Sequence, residues 1–373
     1  MQKDGQLRDG LWIKKVPSLY DKNQVSNWLF RIKYPGNWSA DKVDNFEATL
    51  DNLCLLVRLQ IVAFTFENTA MHYTSHHSMD ISHSGLYQRL VVEGKGSYCF
   101  GMNTLFLQMI RALGYRAFSG AARINTASPD APPNFLAFVH KILFVQPFRD
   151  SNTTYFVDAS GGGSCLTRPI LLKPGAKVLG ATPSEWHTLV KTSRPESSLA
   201  YSPDSNETAR LEWRLVVSHT PRNGPTSTKI IYSFPEDEFF NADYDASNIG
   251  IYTGVWARKE SFWQENIVCS RCFWLTDEEM AGETNDQLES SQGDVYSEGA
   301  IPRWDGSLMS RYLGRLGLQK NELKRHVGTH SETVKTFHTE LERMAILREF
   351  FGIDISQTDL ENIRGRAPAL ELP

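Results

Sequence analysis

The sequence predicts an α+β chain in three parts, and three observations carry that reading. Residues 1–117 hold apolar residues at helical spacing, which predicts a mostly helical first domain. Residues 118–235 are β-branched and aromatic runs cut by turn-rich stretches, which predicts a sheet or barrel. Residues 236–373 mix the two textures and end on a helical pattern. A chain of 373 residues, 41% of them hydrophobic, is long enough to support two or three domains.

In chain order, QVSNWLFRI predicts a short helix, and residues 41–70 predict a long amphipathic one with Phe46, Leu50, Leu53, Leu56, Leu59 and Val62 on one face. DISHSGLYQRLVV predicts a third helix, and a fourth runs from Phe100 to Gly114, where glycine suits the residue just past a helix end. ALGYRAFSGAARI, FLAFVHKILFVQP, TTYFVDAS, LEWRLVVSH and TKIIYSFP predict strands. The polar SRPESSLAYSPDSNET between them suits a surface excursion. In the last part, ESFWQENIVCSRCFWLT predicts a helix-to-strand unit, and the acidic EEMAGETNDQLESSQGDVYSEG predicts a mobile stretch. SETVKTFHTELERMAILREFFGI predicts one C-terminal helix, with Val334, Phe337, Leu341, Ala345 and Phe350 along a face.

A formal net charge of -4 argues against nucleic acid or an anionic membrane as a partner. The most apolar run is broken by His140 and Lys141 and is too short to span a bilayer, and the N-terminus lacks a secretory h-region. Five cysteines in this length read as reduced thiols of a cytoplasmic protein. Cys269 and Cys272 make one CxxC with no second pair nearby, so no metal is expected there.

One cysteine differs from the rest. Cys99 falls where the glycine-rich GKGSY becomes a helix, and free N–H groups and the positive dipole end at a helix start favour a thiolate and a developing oxyanion. A buried inert thiol fits the helix equally well. His140 interrupts the most apolar strand and Asp158 closes the next one. Cys, His and Asp on successive elements are what an activated thiol needs: a base for its proton and a carboxylate to orient the base.

KGSYCFGMN, VHKILFV and YFVDASGGGSCLTRPILL, in that order, resemble the arylamine N-acetyltransferase family, whose pattern is R-G-G-Y-C-F-E-x-N, a histidine strand, then V-D-V-G-F-G. FTFENTAMHY resembles its P-F-E-N segment and NWLFRIKYPG its first helix, so the likeness spans residues 25–172. The resemblance implies a helical bundle, a β-barrel and an α/β lid around a cysteine-protease-like Cys-His-Asp core, with the cleft between the first two parts. It implies ping-pong acyl transfer: Cys99 takes an acyl group from acetyl-CoA or another short acyl-CoA, and a small aromatic amine or hydrazine accepts it with help from His140. Phe66, Phe100, Phe138 and Gly161 are the implied substrate-binding residues. Lys173, Lys177 and Arg168 are candidates for coenzyme phosphates on charge alone, with a solvated surface role as the alternative.

The sequence departs from the family pattern at four places. Lys95 replaces the arginine, Gly101 the glutamate after Cys-Phe, Thr65 the proline before Phe66, and Ser160-Gly161 the Gly-Phe pair. A bare Gly161 implies a wider acceptor pocket, unless Phe138 or Tyr155 fills the gap. Other readings are a malonyl- or propionyl-transferase, an amide-forming biosynthetic acyltransferase, a thiol hydrolase with the same triad order, and a non-catalytic binding protein.

Overall fold

The computed structural model describes residues 3–194, 196–204, 209–221, 223–254, 262–283, 292–293, 301–302 and 306–372. Helix α1 (Lys22–Arg31) starts at Asp21, whose carboxylate accepts from the Gln24 N–H while Gln24 reaches back, a reciprocal cap. Helix α2 (Leu50–Ala63) starts at Thr49, which caps Asn52. The single long helix expected over residues 41–70 is therefore shorter. Residues Ala40–Asn45 form a separate 3-10 turn, and Phe46 is buried ahead of the cap rather than on the helix. The strand β1 (Phe66–Glu67), short helices α3 (Ala70–Tyr73) and α4 (His83–Leu86), and a π turn over Tyr87–Val92 lead to α5 (Cys99–Ala112).

Strands β2 (Arg116–Asn125), β3 (Phe135–Gln146), β4 (Tyr155–Val157), β5 (Ile170–Leu171), β6 (Lys177–Leu179), β7 (Glu185–Ser193), β8 (Leu211–His219) and β9 (Ser227–Phe234) form one antiparallel sheet. Its order, β5-β4-β3-β2-β9-β8-β7-β6, curls into a nearly closed barrel. Alternation along β3 divides the strand between two cores. Leu143 and Val145 pack with Trp28, Leu53 and Met109 of the helices, whereas Ile142 and Phe144 join Phe156, Trp213 and Phe234 inside the barrel. Leu7 and Ile13 also belong to the barrel core, so the N-terminal arm crosses to the second part.

The third part begins with α6 (Asn241–Thr253) and α7 (Phe262–Glu265). Its antiparallel sheet joins β10 (Cys269–Trp274) to β13 (Leu313–Gln319), β14 (Glu322–Val327) and β15 (His330–Thr336), and β1 of the helical part adds the outer strand. Between β10 and β13 lie α8 (Asp277–Glu283) and a small parallel pair, β11 (Gln292–Gly293) with β12 (Ile301–Pro302). The stretch expected to be mobile starts inside α8, and most of the remainder falls outside the described residues. The C-terminal helix α9 is confined to Glu340–Phe351. Residues His330–Thr336, which hold Val334, form a strand instead of its first turns, because the Thr339 hydroxyl and Glu342 build a reciprocal cap that fixes the start. Its buried face is Arg343, Ile346, Leu347 and Phe351, while Leu341 is exposed.

Candidate active site

The loop ahead of α5 is fastened before the helix begins. Gly96 is needed there: a Cβ would stand 1.8 Å from the Thr65 carbonyl oxygen. The close approach lets the Ser97 N–H donate to Thr65 O at 3.2 Å and the Glu67 N–H donate to Ser97 O at 3.1 Å. Glu67 is fully buried and pairs with Arg89 at 2.6 Å, and Arg89 also donates to the Gly96 carbonyl at 2.7 Å. The cation that pairs with the buried carboxylate at this loop is thus the half-buried Arg89, while Lys95 pairs with Glu93 at 3.2 Å near the surface. Gly101 is not a vacancy left by a glutamate, since a Cβ there would lie 2.2 Å from Ser97 Oγ and 2.6 Å from Leu86. Thr65, in the proline's place, donates its hydroxyl to the Phe351 carbonyl at 3.1 Å.

Cys99 is the first residue of α5, behind an extended Tyr98. The first N–H groups of a helix have no partner within it, so donors gather around the sulfur. On β3 a bulge opposite Ala122 and Arg123 sits next to His140, and bulges re-aim side chains at such places. His140 shares the parity of Ile142 and Phe144 and faces the barrel mouth; Lys141 faces the helices and donates to Thr104 Oγ1 at 2.8 Å. Burial, helped by the nearby charge of Arg111, pushes the Lys141 amine down to about 7.

The structure brings Cys99, His140 and Asp158 together. His140 Nε2 lies 2.7 Å from Asp158 Oδ2, which leaves the other ring nitrogen for Cys99, whose thiol in this structure donates to the Val139 carbonyl at 3.7 Å. Asp158 is buried with full company. Asn103 donates to Oδ1 at 2.9 Å, the Ser160 N–H donates to Oδ1 at 3.1 Å, and the Tyr232 hydroxyl donates to Oδ2 at 3.1 Å. The Tyr232 ring stacks on His140 at 4.9 Å between centroids. Burial works against both charges, yet their mutual attraction and these hydrogen bonds outweigh it. Asp158 is pulled down to about 2, and His140, with Cys99 adding to the attraction, is pushed up to about 10. At neutral pH the imidazole is therefore a cation held between the sulfur and the carboxylate.

Asn103 and Tyr232 were not singled out from the sequence. Asn103 had a signal: it is the last residue of KGSYCFGMN, one helical turn after Cys99 and on the same face. Besides gripping Asp158 it donates to the Lys141 carbonyl at 2.7 Å and accepts from the Ala159 N–H at 2.9 Å, tying α5 to both strands. Tyr232 comes from β9, which pairs with β2 next to β3, and carried no local signal.

A cavity of about 700 Å³ opens over the triad, walled mainly by apolar groups including Phe66, Ile124, Leu136, Ile251 and Trp263. Of the four residues read as substrate-binding, the structure brings only Phe66 to this wall. Phe100 is fully buried, its ring against Tyr98 and Tyr244 at 5.7 Å. Phe138 is sandwiched by the Arg123 guanidinium at 3.6 Å and Phe239 at 4.9 Å. Gly161 has φ +78°, and a side chain there would point at Ile61, so the turn requires glycine and the wider pocket is not its doing. Gly162 and Gly163 line the cavity instead, and a Cβ on Gly163 would meet open space. Neither Phe138 nor Tyr155 fills the gap; Tyr155 rests against Phe148 at 6.3 Å. Trp263, 5.9 Å from Phe66, supplies the aromatic wall.

Beyond Phe66 and Gly163, which border both, lies a second and more polar cleft of about 740 Å³ between the barrel and the third-part sheet. Lys320 and Lys324 line it, the latter paired with Glu322 at 2.8 Å, together with His219, the buried Arg315 and His326, whose pKa burial and the nearby cations push down. The cations first considered for coenzyme phosphates lie elsewhere. Arg168 is buried and gives its donors to the carbonyls of Leu179, Gly180 and Met309. Lys177 lies over the Trp186 ring at 4.4 Å, and Lys173 borders neither cleft. Among the described residues no helix is long and apolar enough to cross a membrane, and no three His, Cys, Asp or Glu side chains are grouped to hold a metal.

A family model described as N-acetyltransferase matches residues 49–284, well over half of the chain and including the whole triad. The chain belongs to the arylamine N-acetyltransferase family. It is therefore an acyltransferase. Solved structures carry the fold. The arylamine N-acetyltransferase of Mycobacterium marinum superposes with a TM-score of 0.61 at 21% identity, over 90% of this chain and 94% of its own. That of Salmonella typhimurium gives 0.61 at 17% identity, over 92% and 98%. Among curated relatives, the N-malonyltransferase FDB2 of Gibberella moniliformis is 21% identical over 92% of both chains. The arylamine N-acetyltransferase of Mycobacterium tuberculosis is 38% identical over 98 residues, 26% of this chain and 34% of that protein.

Proposed function

We propose that this acyltransferase works by ping-pong transfer through an acyl-Cys99, from a short-chain acyl-coenzyme A to an aromatic amine or hydrazine. The observation that carries the reading is the buried Cys99–His140–Asp158 chain at the floor of an apolar cavity. The sulfur attacks the thioester carbonyl, with N–H groups at the start of α5 facing the developing oxyanion. Coenzyme A leaves as the thiol, taking the proton that the imidazolium holds. Replacing one thioester by another splits the reaction without a deep trap. In the second half the amine nitrogen attacks the acyl-cysteine, neutral His140 takes its proton, and the amide leaves. Asp158 fixes the imidazole through Nε2, so the nitrogen facing sulfur is the one that exchanges the proton.

The polar cleft is the seat we assign to the coenzyme's phosphates. It adjoins the cavity at Phe66 and Gly163, and Lys320 and Lys324 on its lining supply positive charge for phosphate. A structure titled as the Mycobacterium marinum relative in complex with CoA, with a TM-score of 0.60 at 20% identity, is consistent with that donor class. The full-length likeness to N-malonyltransferases gives malonyl-CoA a place beside acetyl-CoA in the donor set. The experiment is a two-substrate matrix of acetyl-, propionyl- and malonyl-CoA against aromatic amines and hydrazines. Parallel double-reciprocal lines are the expected result; intersecting lines would mean that both substrates must be bound together and would refute the acyl-enzyme.

A further inference from the structure

Five thiols are present, and the transferase chemistry uses one. Two of the others meet. Cys165 Sγ and Cys272 Sγ are 3.8 Å apart although 107 residues separate them in the chain. Cys165 ends the glycine run that follows Asp158, and Cys272 lies in the middle of β10. Around them Ile61 of α2, Ala181 of the barrel and Leu313 of β13 close a small apolar cluster, so the sulfurs sit where all three parts of the molecule join. Cys165 is also on the wall of the catalytic cavity, whereas Cys272 is wholly enclosed.

The surroundings favour thiol chemistry over metal binding. Arg315 stands directly across from Cys272 in the β10–β13 register, and its guanidinium donates to the Cys165 carbonyl at 3.3 Å. A fixed cation repels a metal ion and supports a thiolate. The hydrogen bond that the thiols share pulls the Cys272 thiol down and, with burial, pushes the Cys165 thiol up.

We propose that Cys165 and Cys272 form a reversible disulfide that switches the transferase off under oxidation. A peroxide enters through the catalytic cavity and meets Cys165. The Cys165 sulfur attacks one peroxide oxygen and breaks the O–O bond while its proton passes to the other oxygen, which leaves as water, and Cys165 becomes a sulfenic acid. The Cys272 sulfur then displaces the hydroxyl, which leaves as a second water with the remaining thiol proton. Two thiols and one hydrogen peroxide give one disulfide and two waters, and the two electrons lost by sulfur reduce the O–O bond. Closing the gap to a bond of about 2.05 Å draws Cys165 toward β10, away from the cavity wall. The segment it ends begins at Asp158, so the pull is delivered to the carboxylate that orients His140.

The bridge itself is tested without reference to turnover. Cys99→Ser protein is treated with hydrogen peroxide, blocked with an alkylating agent, digested with trypsin without reductant and mapped by mass spectrometry. The peptide ending at Lys177, since trypsin spares the Arg168–Pro169 and Lys173–Pro174 bonds, and the peptide beginning at Cys272 are expected as one linked species that dithiothreitol separates. Trypsin cuts after Arg271, so a link to Cys269 is a different species. Recovery of Cys165 alkylated or as a sulfinic acid would overturn the proposal. In wild-type protein a Cys99–Cys165 link would overturn it too.

The regulatory half rests on the acyl-cysteine reading above, and is read separately. Wild-type and Cys272→Ala proteins are treated with peroxide while Cys99 is covered by an acetyl group, then assayed against their own untreated controls. The wild type is expected to lose about tenfold in turnover, the order that small misplacements of catalytic groups cost. Dithiothreitol should restore it, and Cys272→Ala should lose none. Equal loss in both proteins would overturn the switch. A failure to acylate Cys99 would count against the transferase mechanism and leave the peptide result standing.

Discussion

Two carboxylates are buried in this molecule at similar cost and put to different ends. Asp158 and Glu185 are both nearly inaccessible, both opposed by desolvation, and both held down to about 2 by a cationic partner. The partner of Glu185 is Arg315, donating at 2.7 Å through a guanidinium that never releases its proton in the working range. That pair ties the barrel strand β7 to β13 of the third part. The partner of Asp158 is an imidazole, which can give its proton away and recover it, and whose other face meets a thiol at the floor of a cavity. Depth of burial and strength of pairing therefore do not mark a catalytic site. A partner with an exchangeable proton beside an open cavity is what sets the proposed catalytic pair apart.

The comparison is sharpened by breaking each pair. Asp158→Asn keeps the shape but removes the charge that holds the imidazole, and kcat/KM should fall about 10³–10⁴-fold, with a stability loss smaller than that of Arg315→Met because the imidazole can shed its proton. Arg315→Met should do the reverse. It leaves Glu185 buried and alone, and stability by urea titration should drop by about 3–5 kcal/mol, with the double variant Glu185→Gln/Arg315→Met regaining much of it. If Asp158→Asn proved mainly a stability defect, the two pairs would be of one kind.

A smaller effect is expected from the cleft between them. Lys320→Ala with Lys324→Ala should raise KM for acyl-CoA about tenfold and leave KM for the amine alone, since both line that cleft and make charge contacts with phosphate. The gentlest test is pH. His140 has a folded pKa of about 10 against 6.5 unperturbed, so the stability it adds is full below 6.5 and fades as pH rises toward 10. Asp158, at about 2 against 3.8, adds stability that is full above 3.8 and fades as pH falls toward 2. The gap in urea midpoint between wild type and His140→Gln should therefore narrow between pH 6.5 and pH 10.

What the sequence revealed followed how local each signal was. That Cys99, His140 and Asp158 gather at one cavity was legible because each lies at a break in a regular pattern: a glycine turn into a helix, a histidine inside an apolar strand, an acid at a strand end. The helical first part and the longer barrel strands were legible from periodicity. The short strands β5 and β6 were not, and β7 was passed over because its lysine, threonine and histidine mask the alternation. Val334 was read into a helix because His330–Thr336 continues the spacing of α9 by chance, and the cap at Thr339 overrides it. Tyr232 and Arg315 reach Asp158 and Glu185 across 74 and 130 residues, and Trp263 meets Phe66 from another part of the chain, contacts that no local pattern records. Arg168 misled because a cation in a polar stretch reads as exposed, whereas here backbone carbonyls satisfy it in the interior.

The most direct test of the account is the mass of the protein after brief mixing with one equivalent of acetyl-CoA. The account predicts a single acetyl adduct on the peptide carrying Cys99, discharged by an aromatic amine, absent in Cys99→Ala and formed far more slowly in Asp158→Asn. An adduct on another residue, or amide product formed by the Cys99→Ala protein, would contradict it.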